Sequence, residues 1–183
     1  MNSVMGCAMI DCTILKTLSE AKGISSCEEA VCSQLEGMMK PYVDKVIYDG
    51  LGSVIGVKQG HGLGPKTMIA THADEVGFFV KGIDDRGFLQ LMPVGSWWTH
   101  MLLGHDFSVI TKSGSEVKGF IGSPATHGMA ADLRAKTLDM ESIYLDLGVA
   151  SKKEVEALGV AIGDMVVPDT SFRVMNNPNY LVG

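Results

Sequence analysis

His72, Asp74 and Glu75 follow directly on an apolar run, "TMIAT", at residues 67–71. If the chain stays extended, side chains two positions apart project to the same side, so His72 and Asp74 face one way and Glu75 the other. A carboxylate beside an imidazole can orient the ring or hold a water next to it, a support that metal-binding histidines usually need. The same spacing also suits a structural histidine at the edge of a core, whose hydrogen-bonding capacity a carboxylate satisfies. Spacing alone leaves both interpretations open.

The segments before His72 predict the start of an α/β layer. Apolar residues recur with helical period over residues 10–22, and a second helix is predicted after Ser25 and Ser26. Each of these serines precedes a glutamate by three positions, which is the spacing of a capping box. Two strands are predicted within residues 44–60. The run at 67–71, apolar on both faces, predicts a third strand inside a covered sheet, with His72 at the carboxyl end where open α/β sheets bind ligands.

After Val76 the pattern changes to short, closely spaced strands. "GFFVKGI" and "FLQLMPV" flank a turn signal at residues 84–87, and "DFSVITKSGSEVKGFIG" reads as a second hairpin. Further strands are predicted in "SIYLDLG" and "GDMVVPD", with a short helix between them that Ser151 can cap. The two hairpins are short, closely spaced and have no helix between them, which predicts a small β-barrel or sandwich inserted into the α/β part.

Composition excludes several classes of function. The chain has 183 residues, a formal net charge of −6 and no basic stripe, so a nucleic-acid partner is not expected. No apolar run reaches the roughly 18 residues that span a membrane, and we expect a cytoplasmic protein. The four cysteines, Cys7, Cys12, Cys27 and Cys32, touch the edge of zinc-finger spacing, but small buried thiols in a reducing compartment are the favoured interpretation.

Other residues with chemical potential are interpreted as structural. His100 and His105 are five positions apart, which is poor spacing for one helical face, and His127 lies in a loop. The acidic pair in "DDRG" at residues 84–87 is interpreted as turn chemistry. Trp97 and Trp98 are expected to form a buried aromatic pair, with an interface anchor as the alternative.

Four segments resemble a known family of enzymes. "THADEVGFFVKGIDDRGFLQLMPVGSWW" resembles, almost position by position, the opening of the insert domain in the glutamyl aminopeptidase and tetrahedral aminopeptidase family of cytoplasmic dinuclear metallopeptidases, which includes chains labelled endoglucanases. "DGLGSVIGVKQG", "GFIGSPATHGM" and "IYLDLGVASKKEVEALGVAIGDMVV" are similar to further segments of that family. The resemblance extends over essentially the whole chain from about Leu15.

The resemblance implies a fold, a metal centre and partners. Residues 1–75 and 167–183 would form a partial α/β catalytic domain, interrupted by an inserted β-barrel domain of the dimerisation type at residues 76–166. Two divalent metal ions, zinc or cobalt, would serve a full-length enzyme that removes N-terminal residues from peptide substrates. His72 matches a metal ligand and Asp74 the catalytic aspartate that supports it. A homo-oligomer formed through the inserted domain is also implied.

The same resemblance implies that most of the metal site is missing. The end of the chain at Gly183 is similar to the family segment just before a stretch that supplies the bridging aspartate, and the general-base glutamate lies further on. We therefore expect an N-terminal portion that is inactive by itself. Two alternatives stay open: a non-catalytic interaction or dimerisation module that acts with a full-length partner, and, less favoured, a hydrolase that uses a serine or cysteine elsewhere.

Overall fold

A computed structural model describes residues 12–122 and 125–183 of the chain. In chain order the helices and strands are α1 Cys12–Ser19, α2 Glu29–Met39, β1 Lys45–Tyr48, β2 Val54–Val57, β3 Gly77–Ile83, β4 Leu89–Val94, β5 His105–Ile110, β6 Glu116–Ile121, α3 Ala131–Arg134, β7 Tyr144–Leu145, α4 Lys152–Ala157, β8 Met165–Pro168, β9 Arg173–Val174 and β10 Leu181–Val182. Cys7 and the predicted start of the first helix at residues 10–11 lie outside the described residues.

The chain divides into two compact units. The first, unit 1, contains the described residues 12–22, 29–69 and 170–183, and the second, unit 2, contains Gly23–Glu28 and Ala70–Asp169. This division rests on compactness. Which residues belong to a catalytic domain and which to an insert therefore stays a prediction.

Unit 2 is built on one antiparallel six-stranded sheet with the strand order β6-β5-β8-β3-β4-β7. The sheet is nearly closed, because Phe120 in β6 and Asp146 just after β7 exchange two backbone hydrogen bonds of 2.8 and 3.0 Å. The predicted small β-barrel is therefore confirmed. Its two sequence-local hairpins, β3-β4 and β5-β6, form where alternating apolar residues flank turn signals.

Local signals in unit 2 behave as the sequence predicts. Asp84 closes the β3-β4 turn, because its carboxylate accepts hydrogen bonds from the backbone N–H groups of Arg86 and Phe88, each at 2.9 Å. Ser151 caps α4 by accepting a hydrogen bond of 3.3 Å from the backbone N–H of Glu154. Asp84 of the acidic pair thus has the turn role that the sequence predicts.

The main apolar core lies inside the barrel. Thirteen buried residues form it, and the largest are Phe78 and Phe107, whose rings meet edge to face with centroids 5.8 Å apart. Trp97 stacks on Phe78 at 4.9 Å and donates its indole N–H to the backbone oxygen of Gly77 at 2.9 Å. Trp98 is 65% exposed, so the expectation of a buried tryptophan pair is wrong. Trp97 covers the Phe78 ring and has an acceptor for its N–H, whereas the contact that Trp98 makes is with the ring of His100.

Unit 1 contains two helices and two separate two-stranded sheets, β1-β2 and β9-β10. The predicted helices and the strands β1 and β2 are present. Val31 and Cys32 on α2 are the buried apolar side chains among the described residues of this unit, and Leu35, Met38 and Met39 of the same helix are only half-buried. Unit 1 therefore has little core of its own.

Candidate functional site

The segment that leads to His72 is not a strand. Residues 67–71 have no regular secondary structure, and Met68 and Ile69 are 87% and 93% exposed. The predicted buried strand is therefore wrong within the part of the chain that the structure describes. A strand forms only where its backbone finds a neighbouring strand, and no residue among 12–122 and 125–183 pairs with the backbone at 67–71. Apolar character alone does not supply that partner.

His72 and Asp74 nevertheless contact each other. The Nδ1 atom of His72 lies 3.1 Å from the Oδ1 atom of Asp74 and 2.9 Å from the backbone oxygen of the same residue. Both neighbours are acceptors, so Nδ1 must carry the hydrogen, and in the neutral ring Nε2 keeps its lone pair. The His72 side chain is 83% exposed. The imidazole thus has one nitrogen held by the protein and the other available to a ligand.

A third residue, Ser25, contacts this pair. Its hydroxyl donates a hydrogen bond to the Oδ2 atom of Asp74, on the other side of the carboxylate from His72. The bond from Ser25 holds the pKa of Asp74 below its ordinary value against the opposing effect of burial, with smaller contributions from the backbone and His72. Asp74 is therefore anionic at neutral pH and bonded through both carboxylate oxygens.

Ser25 is the site residue that sequence reasoning missed. Its spacing to Glu28 indicates a capping box, but α2 begins only at Glu29 and the Ser25 hydroxyl binds Asp74 instead. At Ser26 the backbone N–H donates to the Glu28 carboxylate at 2.9 Å. A residue 49 positions away in the chain is the partner of Ser25, so no local pattern could have revealed the contact.

A buried anchor brings Ser25 to this place. Ile24 is fully buried, and it forms a parallel bridge with Glu75, whose backbone N–H donates to the oxygen of Gly23 at 2.8 Å. Gly77 lies directly against Ile24, because a Cβ atom at Gly77 would be 2.5 Å from the Ile24 Cγ2 atom and 2.5 Å from the Val166 oxygen. A glycine is thus required for the close approach of the two segments.

The described residues do not form a complete metal centre. Across 12–122 and 125–183, no group of three or more His, Cys, Asp or Glu side chains is placed to hold an ion. Among the remaining histidines, His105 has its Nδ1 atom 3.1 Å from the Leu103 oxygen, His100 packs its ring against Trp98, and His127 is exposed. The chemistry of the donors therefore fits one ligand of a metal site and does not fit a metal pair.

The cysteines give no second site. Cys12 is exposed, Cys27 half-buried and Cys32 buried, and no disulfide joins these three. Only Cys32 fits the prediction of small buried thiols in full. Within the described part of the chain, no helix is long and apolar enough to cross a membrane.

A shallow cavity of about 220 Å³ lies on unit 2, away from the residues of the His72 site. Three aromatic rings line it, Phe88, Phe120 and Tyr144, together with Arg86 and Asp146. The guanidinium of Arg86 is already paired with Asp84 and lies 5.1 Å from the centroid of the Phe88 ring. The polar groups of this cavity are therefore partly satisfied by the protein itself.

The chain is similar to proteins of one known family. The family model of the M42 glutamyl aminopeptidases matches residues 52–183. The putative aminopeptidase FrvX of Escherichia coli is 36% identical over 159 residues, which are 87% of this chain and 44% of that protein. The chain therefore spans about half the length of the curated relatives it matches.

Two solved structures share the fold. A TET aminopeptidase from a marine sediment Thaumarchaeota archaeon superimposes with a TM-score of 0.83 at 38% identity, covering 91% of this chain and 47% of that one. The TET1 peptidase of Pyrococcus horikoshii, which can assemble into a tetrahedron or a large octahedral shell, gives a TM-score of 0.78 at 29% identity, covering 90% and 48%. The mixed α/β fold with its β-barrel is shared with these peptidases.

Proposed function

The chain belongs to the M42 glutamyl aminopeptidase family, and from that premise we propose that it forms the N-terminal portion of a metal-dependent aminopeptidase that removes N-terminal residues from peptides. The observation that carries the proposal is the His72–Asp74 pair. Its Nδ1 atom is held by a carboxylate and its Nε2 atom faces outward, which is the arrangement of a metal-binding histidine.

The contacts support the roles that we propose for the two residues. His72 is the proposed ligand of one divalent ion, zinc or cobalt, through Nε2, and Asp74 is the proposed catalytic-site carboxylate that orients the ring. A bound metal pair would supply an activated water and polarise the scissile carbonyl. In this proposal the chain contributes one ligand and its support, which do not suffice to hold the metal pair.

We further propose that the chain is inactive by itself because its catalytic domain is incomplete. The apolar side chains of Leu51, Leu63, Met68 and Ile69 are exposed in unit 1, where only two apolar residues among those described are buried. A surface of this kind is typical of a face that another part of a protein covers. In the proposed division, residues 1–75 and 167–183 belong to this domain, and residues 76–166 form the insert.

The proposed location and partners are those of a cytoplasmic oligomer. Free thiols at Cys12 and Cys32 suit a reducing compartment. A homo-oligomer is proposed because the related TET1 peptidase can assemble into a tetrahedron or a large octahedral shell, and we propose the inserted barrel as its interface. Peptides with a free N-terminus are the proposed substrates, and neither nucleic acid nor membrane is a proposed partner.

The decisive experiment compares this chain with a chimera in which it is followed by the C-terminal part of the E. coli FrvX relative. We expect the chain alone to be inert toward aminoacyl p-nitroanilides, and the chimera to cleave them but not their N-acetylated forms. A chelator should abolish cleavage, and zinc or cobalt should restore it. Cleavage by the chain alone would overturn the assignment of an incomplete site.

Variants of the chimera test the residue roles. His72→Ala should abolish cleavage, whereas His61→Ala, which alters an exposed loop histidine, should leave it unchanged. Asp74→Asn should lower metal affinity by about 10- to 100-fold, the usual effect of removing a group that supports a metal ligand. A chimera that cleaves equally well without the His72 imidazole would refute the ligand assignment.

A second candidate function is a non-catalytic module that binds a full-length partner through the barrel. The observation that favours it is the exposure of Trp98 beside Met101, since tryptophan and methionine are enriched in interfaces. Co-expression with an intact homologue should then give a stable complex that Trp98→Ser disrupts and Met92→Ser, altering a half-exposed residue on β4, does not. Recovery of the two proteins as separate species would exclude this function.

A further inference from the structure

The Ser25 hydroxyl is placed to fix the carboxylate that orients His72. It donates to the Oδ2 atom of Asp74, while the Oδ1 atom of the same carboxylate lies 3.1 Å from the Nδ1 atom of His72. A carboxylate bonded through one oxygen only can rotate about its terminal torsion, which has a broad energy profile. A second bond from the opposite side removes that freedom. The three side chains therefore form a hydrogen-bonded relay from Ser25 through Asp74 to His72.

The backbone around Ser25 is shaped for this contact. Residues Ile24–Cys27 form a turn closed by a hydrogen bond of 2.8 Å from the Cys27 N–H to the Ile24 oxygen. Ser26 has a φ of 75° in this turn, a value at which glycine is usual. Strained backbone of this type persists where the surroundings fix it, and it is concentrated at functional sites. Ser25 occupies the position next to it, directly after the buried anchor Ile24.

Helix capping does not account for Ser25. The helix α2 begins at Glu29, four residues later, and the serine hydroxyl bonds to a side chain from a distant part of the sequence. Its partner Asp74 is the only carboxylate in contact with His72 among the described residues. The hydroxyl thus acts on the site and not on the helix.

We propose that Ser25 is a positioning residue of the aminopeptidase site, which holds Asp74 so that His72 keeps its hydrogen on Nδ1 and presents Nε2 to a metal ion. This inference rests on the proposed function for its significance, but the contact and its effect on the imidazole belong to this chain alone. Ser25 touches neither metal nor substrate in this role.

The test measures the tautomer of His72 in the whole chain, without metal or peptide, by long-range proton–nitrogen NMR at a pH where the imidazole is neutral. The signal is assigned by its disappearance in His72→Gln. In Ser25→Ala we expect the ratio of the Nδ1–H to the Nε2–H tautomer to fall by up to about tenfold, the effect of losing one hydrogen bond. The Asp74 backbone oxygen, 2.9 Å from Nδ1, remains as an acceptor and keeps part of the preference.

Three further variants separate positioning from general structure. Ser25→Thr keeps a hydroxyl and should retain the wild-type ratio, whereas Ser25→Cys, nearly isosteric but a weak donor, should behave as Ser25→Ala does. Ser26→Gly removes the neighbouring hydroxyl at a φ that glycine favours, and it should leave the ratio unchanged. An unchanged ratio in both Ser25→Ala and Ser25→Cys, or an equal change in Ser26→Gly, would overturn the inference.

The outcomes are independent of the proposed function. An unaltered tautomer ratio in the Ser25 variants would show that Ser25 is not a positioning residue. That result would not affect the hydrolysis test on the chimera. A chimera that binds metal but cleaves no peptide would refute the proposed function, even with the predicted tautomer in place.

Discussion

Ile24 anchors the turn that carries Ser25, and its truncation gives the sharpest test of how the site is positioned. The side chain is fully buried in a small cluster with Met165 and Val167. Ile24→Ala removes three carbon groups, each worth about 0.8 kcal/mol on burial, and leaves a cavity that the surrounding backbone can fill only partly. We expect unit 2 to lose about 3 kcal/mol of unfolding free energy, within the roughly 2–5 kcal/mol range for such changes.

Urea unfolding followed by tryptophan fluorescence measures this loss, because Trp97 is stacked on Phe78 in the core of unit 2. The matched control is Ile162→Ala, which truncates a 59% exposed isoleucine of the same unit and should change stability by less than about 0.5 kcal/mol. Equal destabilisation by the two variants would refute the anchoring role of Ile24.

Hydrogen exchange distinguishes local from global effects of the Ile24→Ala change. The Glu75 amide, bonded to the Gly23 oxygen at 2.8 Å, should lose its protection first, since the bond depends on the anchored turn. The Val80 amide, bonded to the Asp164 oxygen at 2.9 Å, should exchange only when the barrel unfolds. Unchanged protection at Glu75 in a folded variant would show that the turn is held by something other than Ile24.

Three further predictions follow from the contacts. Gly77→Ala should destabilise unit 2 by about 1–3 kcal/mol in urea unfolding, because the added methyl group would lie 2.5 Å from the Val166 oxygen, and no loss would contradict the close approach. Hydrogen bonds to Asp169 and then Glu116 raise the pKa of Lys118 above its ordinary value of 10.5. The unfolding free energy that these bonds contribute is therefore complete below pH 10.5, and it is lost as the pH rises through the folded-state pKa of Lys118. The stability difference between wild type and Lys118→Met should therefore shrink above pH 10.5, and a constant difference would argue against the ion pairs. After zinc loading and exhaustive dialysis, elemental analysis should find almost no metal, whereas about two ions per chain would reveal a complete centre.

Features with local causes could be predicted from the sequence. The strands β3 and β4 and the turn between them follow from alternation and from a carboxylate at Asp84 that bonds the N–H groups just beyond it. The cap at Ser151 likewise needs only residues of its own helix. In each case the hydrogen bonds that mark the turn or the cap come from neighbours within a few positions.

Features that depend on a partner far away in the sequence could not be predicted. The run at 67–71 has the composition of a buried strand but no strand beside it among the described residues, so it stays exposed. Ser25 has the spacing of a capping residue, yet its hydroxyl finds a carboxylate 49 positions on. Trp97 and Trp98 are adjacent and identical in type, but Trp97 packs on Phe78 in the core whereas Trp98 is exposed. Local patterns show what a side chain can do, and the distant partner decides which option is realised.

The candidate site lies in the unit of the chain that has the larger apolar core. Ser25, Asp74 and His72 all belong to unit 2, which contains the barrel core, and not to unit 1, where few apolar residues are buried. The geometry of the proposed ligand is therefore held by a part of the chain with its own source of stability. The apolar run at 67–71 looks like the support for His72 in the sequence, but its hydrogen bond to that residue runs from the Thr71 hydroxyl to the His72 backbone oxygen, at 3.4 Å, and does not reach the imidazole. In the proposed enzyme, additional chain would then need to bring its own metal ligands and cover unit 1, but it would not need to build the support of His72.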